Sequence, residues 1–586
     1  VTNADDRLAL ADVLRLRTST GARGNSAPGA PVPGTPTADA GVRLRAGLGR
    51  ATVHWLLDLW RAADAPDDGV ALACTGSLAR GESGPLSDLD LVVLHDKGAD
   101  RQRVAEVAER LWYPIWDSGI ALDHSVRSLQ QCRQVAAADL NVAGAMLDLS
   151  PVAGDAELVR RAVRQLAEDW RANARKRLPE LLDQVRERHE LFGELAQLLE
   201  PELKEAKGGL RDMSVLRAMT TSWLTDRPHG AVDGAYHFLL DVRDTLQLVT
   251  RRPRNLLTLG DQDEVAHRLG LADADELLTR VGAAARQISA ATDATLRRAG
   301  QSQRARLSRR GPRRPELRPL HPGLYAHDGE LVLGPVRGGG PEDASLLPLR
   351  AAALSATQAL PLSPATARRL AEQPAPTTPW PESARGLLVE LLGGPELLQT
   401  WNTLDLAGVV DRWIPAWAGI RDRPQRNPLH RHTVDRHSLE TVLEAQKLTE
   451  RVSRPDLLLV AALLHDIGKR PGVDDHCVDG ARMIRRIASE LGFSGPDART
   501  LELLVAEHLT LMALATGRDT TDRATAAQLG RRVGNDPDTL QLLAALSEAD
   551  SRAAGPRTWS SGRASLVRDL MRRTTALLDR QRAAAG

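Results

Sequence analysis

Apolar residues recur along this chain in two rhythms, and the change from one to the other marks its parts. Between residues 42 and 150, apolar positions every three or four residues over Val53 to Ala63 and Arg101 to Trp112 predict amphipathic helices. Short apolar runs at Val70 to Thr75, Leu89 to Leu94 and Ile120 to Val126 predict strands between them, so this part reads as a small α/β domain. From 151 to 300 only the helical rhythm remains, in "DAELVRRAVRQLAEDWRANARKRL", "GAYHFLLDVRDTLQLVT" and "ADELLTRVGAAARQISAATDATLRRAG". Residues 301 to 384 predict a linker. It comprises a basic, proline-containing break, "RARLSRRGPRRPELRP", a hairpin "YAHDGELVLG" turning at Asp328-Gly329, and a loosely structured proline-rich connection over 341 to 383. From 385 to 586 the pattern is helical again, with "LLLVAALLHDIGK" as its most apolar segment. Residues 1 to 41 include "RTSTGARGNSAPGAPVPGTPTADA", which has too few large apolar groups to offset the entropy of ordering and predicts a disordered leader.

Composition narrows the class. A chain of 586 residues with 42% hydrophobic and 26% charged residues is globular, of several domains, and its scarcity of aromatics favours a mainly α fold with an α/β part. A formal net charge of +1 gives no general electrostatic attraction to nucleic acid, so no nucleic-acid partner is expected. The basic strip at 304 to 319 reads as a solvated linker. Three scattered cysteines, Cys74, Cys132 and Cys477, suit neither a disulfide framework nor a cysteine zinc site and fit a reducing compartment. No run of about 18 apolar residues and no signal-peptide pattern occur, so a cytoplasmic protein with no membrane partner is expected.

The first chemical constellation is "GSLARGESGPLSDLDLVVL", residues 76 to 94. In a strand the side chains alternate, so Asp88 and Asp90 share a face while Leu89, Leu91 and Val93 point to the buried side. Two adjacent carboxylates repel unless a cation lies between them, and a hard divalent ion such as Mg²⁺ is the usual agent. Gly76 and Ser77 end the preceding strand, where glycine lets backbone N–H groups approach a phosphate. The plainer reading is a strand end with two solvated aspartates. The order Gly-Ser, spacer, Asp-x-Asp resembles the polymerase-β-like nucleotidyltransferases. That resemblance implies transfer of a nucleotidyl group from a nucleoside triphosphate with Mg²⁺, and a third acid on a neighbouring strand. Asp123 in "IALDHSVRSL" is the candidate, with His124 taking its place if the register differs by one.

The second constellation spreads His and Asp over successive helices: "HRHTVDRHSLETV", "ALLHDIGK", "HCVDGARMI", "VAEHLTLMAL" and "LSEADSRA". A lone buried His-Asp pair is usually a satisfied core hydrogen bond, but here His465-Asp466 is flanked by His437 and Asp550 in equally apolar settings, as in metal sites built between helices. The order resembles the HD phosphohydrolases. Carried over, His437, His465, Asp466 and Asp550 would ligate a divalent ion, Mg²⁺ or Mn²⁺, Lys469 on the same helix face would steady a phosphate, and His476 and His508 would serve a second metal. His430 and His432 read as surface residues or substrate contacts.

A third stretch, "EPELKEAKGGLRDMSVL", residues 200 to 216, joins the two. It resembles the signature of the bifunctional uridylyltransferase/uridylyl-removing enzymes that modify the PII nitrogen-signalling protein, as do "LWYPIWDSGIALDHSVRSLQQC", "HTVDRHSLETV", "LHDIGK" and "EHLTLMALAT". Lys204, Arg211 and the Gly208-Gly209 turn could bring cations and close backbone to nucleotide phosphates, where the plainer reading is a charged helix-capping turn. The resemblance implies a nucleotidyltransferase domain over 42 to 150, a helical domain over 151 to 300 and an all-α HD domain over 385 to 586. It also implies transfer of UMP from UTP to a tyrosine of PII in the first domain and release of UMP in the last, controlling nitrogen metabolism. The family carries glutamine-sensing ACT domains after the HD region; here a helical tail runs to Gly586, which leaves truncation or loss of glutamine regulation as the expectation. The competing readings are an ATP-using adenylyltransferase on PII, an HD hydrolase with an inactive transferase site, a non-catalytic PII-binding protein and a tRNA nucleotidyltransferase. The last would need a basic RNA-binding tail and its own base-reading motif, neither of which the sequence carries.

Overall fold

The computed structural model describes residues 39–307, 317–335, 341–426, 431–555 and 557–585. Most of the expected leader, most of the basic break and His430 lie outside them. The fold is mainly helical with small sheets, and the chain divides into two compact units, Val1–Arg310 and Gly311–Gly586. No single helix among the described residues is long and apolar enough to cross a membrane.

The first unit is built on four strands: β1 (Val70–Cys74), β2 (Leu89–His95), β3 (Leu122–Ser128) and β4 (Ser150–Gly154), in the order β3-β2-β1-β4. β1 is antiparallel to β2 and β4, and β2 is parallel to β3. Three strands lie where the apolar runs put them. β4 was missed, because "SPVAG" is short and opens with a proline. The two inner strands are apolar on both faces because both faces are covered. Leu72, Leu89, Leu91 and Val93 pack beneath Trp55, Leu56, Val104 and Leu111 of the helices Asp39–Ala62 and Arg101–Asp117. Ala71, Ala73, Val92 and Leu94 pack beneath Cys132, Leu158 and Trp170 of the helices Leu129–Ala138 and Ala156–Phe192. Side-chain caps set where these helices start: Asp100 accepts from the amides of Gln102 and Arg103, Ser128 forms a capping box with Gln131, and Asp155 accepts from Leu158.

The helix Ala156–Phe192 starts on the sheet and continues past it. Leu158 and Ala162 share one core with Leu178, Val185 and Met219, so sheet and helices merge without a gap at residue 150. The helices Leu210–Thr221, Ala231–Thr250, Leu259–Arg268 and Ala274–Leu307 complete the unit as the helical rhythm predicts.

In the second unit a three-stranded sheet, β5 (Arg318–His321), β6 (Leu324–His327) and β7 (Glu330–Leu333), replaces the expected simple hairpin. β6 and β7 do turn at Asp328-Gly329, both at positive φ (49° and 79°), the conformation a two-residue hairpin loop demands. The segment 341 to 383 corrects the expectation of a loose connection: it contains the helices Pro341–Gln358 and Pro364–Ala371. Its prolines start helices as well as break them. Pro364 sits in the first turn behind the Ser363 cap, while Leu346, Leu349, Ala352 and Leu370 lie in the unit's core. At the centre is Pro455–Leu464, whose residues 457 to 464 are all buried. A helix apolar all round has to lie inside the core.

Candidate functional site

At the start of β2 the cover over one sheet face runs out. Asp90 shares that face with Val92 and Leu94 but lies one step beyond their helical lid, and is half-buried. Asp88 precedes the strand and is exposed, so it does not share a strand face with Asp90 as the alternation suggested. β3 places Asp123 directly beside Asp90 in register and His124 beside Leu91. His124 belongs to the other face, where its ring lies 5.0 Å from Trp112 and 5.5 Å from Trp116. Burial raises the Asp90 pKa, and the charges of Asp88 and Asp123 push it further, with Lys204 and Arg80 opposing them. Three carboxylates thus converge on one rim, with Lys204 within electrostatic reach.

Gly76 closes this rim from the start of a short helix, Gly76–Ala79, that follows β1, so Gly76 and Ser77 lie just past the strand they were expected to end. The φ of Gly76 is +64°, and a Cβ there would fall 2.1 Å from Asp90 Oδ2, so no other residue leaves room for that carboxylate. The Oγ of Ser77 is inaccessible and has no hydrogen-bond partner. An orphaned hydroxyl and a cluster of hard oxygen donors fit a divalent ion carrying phosphates.

The spacer between Gly76 and Asp88, polar in sequence, is firmly held. Glu82 is buried, with its carboxylate between Arg80 at 2.7 Å, the Tyr236 hydroxyl at 2.7 Å and Arg217, and Arg80 also reaches Asp148 at 2.6 Å. Burial would raise the Glu82 pKa, but the two guanidinium groups hold it below its ordinary value. Arg80 and Glu82 escaped the sequence reading because their partners are about 60 to 150 residues away in the chain.

The Gly-Gly signature has a mainly structural explanation. A Cβ on Gly208 would meet the Ala285 carbonyl at 2.4 Å, and one on Gly209 would meet three carbonyls within 2.9 Å, so both glycines serve packing within the protein. Asp212, fully buried and missed in the sequence, accepts from the Gly208 amide at 2.7 Å and from Arg188, and pairs with His189 at 2.9 Å. Arg211 forks over Glu205 at 3.0 and 3.3 Å, and nothing described brings it to the carboxylates. Of the two cations singled out there, the structure brings Lys204 to the rim.

The second cluster forms where the apolar helix Pro455–Leu464 ends. His465 is its C-cap and Asp466 follows in a turn, so they do not share a helix face with Lys469 as expected. The chain turns at Gly468, where a Cβ would lie 2.1 Å from the His476 carbonyl; this close approach seats the helix His476–Glu490 against the turn. Lys469 still reaches Asp466, its Nζ 2.7 Å from Oδ2, and donates to Gln425 Oε1 at 2.9 Å. His432, half-buried, accepts through its backbone carbonyl from the same Gln425.

Asp466 is the hub. Its Oδ2 faces His465 Nε2 at 3.4 Å and His437 Nε2 at 3.9 Å, and its Oδ1 faces His476 and His508 Nε2 at 3.7 and 3.6 Å. Asp550 reaches His437 at 2.8 Å and His465 at 3.7 Å. The Nδ1–H groups of His465 and His508 each donate to a backbone carbonyl at 2.8 Å, which aims their Nε2 lone pairs inward. Burial pushes His508 down to about 4, so its imidazole is neutral near pH 7. Burial would likewise lower His465, but Asp466 and Asp550 raise it; Asp466 is held well below the carboxylate range by His465 and Lys469 against burial. Asp466 Oδ1 and His465 Nε2 have no hydrogen-bond partner, while Asp466 Oδ2 faces the Lys469 ammonium at 2.7 Å. A buried carboxylate left short of partners costs roughly several kcal/mol, and imidazole and carboxylate donors converging on it are the set a transition-metal-type divalent ion needs.

The donor sets and folds define a nucleotidyltransferase-type domain and an HD-type domain in one chain, and three family models match in that sense. The nucleotidyltransferase domain matches residues 58–137, the HD domain residues 434–551, and between them the GlnD PII-uridylyltransferase model matches residues 176–296. Domains of the first two kinds typically use divalent metal ions. Among curated relatives, the bifunctional uridylyltransferase/uridylyl-removing enzyme of Streptomyces coelicolor is 48% identical over 93% of this chain and 66% of its own length. That of Mycobacterium tuberculosis is 43% identical over 89% and 65%, and that of Corynebacterium glutamicum 37% identical over 84% and 70%. The chain belongs to the family of bifunctional uridylyltransferase/uridylyl-removing enzymes, and it spans about two thirds of the length of these relatives.

Proposed function

We propose that this chain attaches UMP from UTP to a tyrosine of a PII signalling protein and hydrolyses the same phosphodiester to release UMP, in two separate sites. The observation that carries this reading is the coexistence of two different donor sets in different units: three carboxylates on an open rim, and a buried His-Asp cluster. Asp88, Asp90 and Asp123 would hold Mg²⁺, and His437, His465, Asp466 and Asp550, with His476 and His508, would hold Mg²⁺, Mn²⁺ or a related ion. Bound ions would supply Lewis-acid stabilisation of phosphate charge at the first site and an acidified water at the second.

The protein's own groups do the rest. Gly76 keeps the space beside Asp90 open, Ser77 Oγ offers an unused hydrogen-bonding group, and Lys204 offsets the negative charge of the rim. In the buried site Lys469 balances Asp466 and lies where it can meet a phosphoryl oxygen. The opposed reactions follow the names of the relatives, PII follows the name of the family model matched at residues 176–296, and UTP is the donor that uridylyl transfer calls for. The cytoplasm is assigned as the compartment because its reducing state suits three free cysteines.

The test is incubation of the full chain with a PII protein, Mg²⁺ and α-labelled UTP or ATP in parallel. Label from UTP on a PII tyrosine, later released as UMP, is the expected result. Labelling from ATP alone would replace uridylylation with adenylylation, release without labelling would leave only a hydrolase, and PII binding without either would make the chain a non-catalytic partner.

A further inference from the structure

The His-Asp cluster has a neighbour that no oxygen-and-imidazole account uses. Cys477 follows His476 at the start of the helix His476–Glu490, half-buried, with Sγ 3.6 Å from His476 Nε2 and 3.9 Å from His508 Nδ1. Its position is set by the Asp475 cap, whose carboxylate accepts from the Cys477 and Val478 amides at 3.0 and 3.1 Å. Ligand-type atoms of His476, Cys477 and His508 all lie within 4.8 Å of one another. Asp466 Oδ1, buried and without a hydrogen-bond partner, is aimed at the two imidazoles of this group. Cys477 Sγ thus faces His476 Nε2 on the side of the cluster where Asp466 Oδ1 meets the Nε2 atoms of His476 and His508.

We infer that Cys477 Sγ is a donor of the second metal position, with His476, His508 and Asp466, and that this position selects a zinc-class ion over Mg²⁺. The inference rests on the reading of this cluster as a metal site. The spacing supports it: Zn–S and Zn–N bonds of about 2.3 and about 2.0 Å at a tetrahedral angle hold sulfur and nitrogen about 3.5 Å apart, against 3.6 Å between Cys477 Sγ and His476 Nε2. The softness of the donor supports it too, since thiolate with imidazole suits zinc-class ions while Mg²⁺ wants oxygen. On binding, the S–H proton passes to solvent and the thiolate takes the metal bond. The other position, around His437, His465 and Asp550, has no sulfur among its ligand-type atoms. The two halves of one site would thus differ in the metal they prefer.

Co²⁺ is the probe, titrated into the full chain and into Cys477→Ser and Cys477→Ala, with absorption as the readout. The expected result is a near-ultraviolet sulfur-to-cobalt charge-transfer band in the parent protein that both variants lose while keeping the visible d–d bands of imidazole-bound cobalt. Zn²⁺ affinity should fall at least about tenfold in both variants, with Mn²⁺ affinity unchanged. Visible bands without a charge-transfer band in the parent protein would overturn the inference and leave the metal-site reading intact. No cobalt binding at all would overturn both. Circular dichroism of the two variants separates loss of the donor from loss of fold.

Discussion

The two sites solve one problem, holding charge-dense donors together, in opposite ways. On the β2 rim Asp88 and Asp123 are exposed, Asp90 is half-buried, and the side chains of Lys204 and Arg80 oppose the negative charge around Asp90. In the second unit His437, His465, Asp466 and His508 are each about 1% exposed or less. An open rim of carboxylates suits an ion that keeps water and arrives with substrate phosphates. A closed cage of imidazoles around a carboxylate suits an ion held by the protein itself. The difference teaches that glycine and solvent access govern the first site, and hydrogen-bonded ring orientation governs the second.

That contrast can be broken in a graded way. The largest effect is expected from His437→Ala, which removes an imidazole facing both Asp550 and Asp466; release of UMP should fall at least about 100-fold, with metal content reduced and labelling of PII unchanged. Next is Gly76→Ala. Its Cβ would collide with the Asp90 carboxylate and its φ is disfavoured for alanine, so labelling should fall about 10- to 100-fold while release is kept.

Asp212→Asn tests the buried knot behind the Gly-Gly turn and should destabilise the first unit by about 2–4 kcal/mol in thermal or urea unfolding. Burial alone would raise this carboxyl, but His189 and Arg188 hold it below its ordinary value. Its stabilisation is therefore complete above the unfolded carboxylate value of about 4 and disappears as the pH falls through the lower folded value. The variant's deficit should be full at pH 7 and close in strong acid. The smallest effect is expected from Arg211→Ala: its half-exposed pair with Glu205 is worth less than about 1 kcal/mol, and labelling should fall less than in Lys204→Ala.

Most of the donor set was legible because its spacing is local. Gly76-Ser77, Asp88-x-Asp90 and His465-Asp466 each lie within a few residues, and the strand and helix periods around them follow from burial on two faces or one. The choice between Asp123 and His124 needed the register of β3 against β2, which depends on contacts across the sheet. Glu82 and Asp212 were not legible because a buried charge is recognised only by its partners, and Tyr236, Arg217, Arg188 and His189 are distant in the chain. Nor were the helices at 341 to 383, because a proline count does not show which prolines stand in a first turn. The same holds for Cys477, a scattered cysteine in sequence that the fold sets against two histidines.

The central claim is that attachment and release use separate sites. Its most direct measurement is a paired assay on one PII preparation, scoring both labelling from UTP and release of UMP for two double variants. Asp88→Asn with Asp90→Asn should abolish labelling and keep release, and His465→Ala with Asp466→Ala should keep labelling and abolish release. Loss of both activities in either double variant, with melting like that of the parent chain, would contradict it.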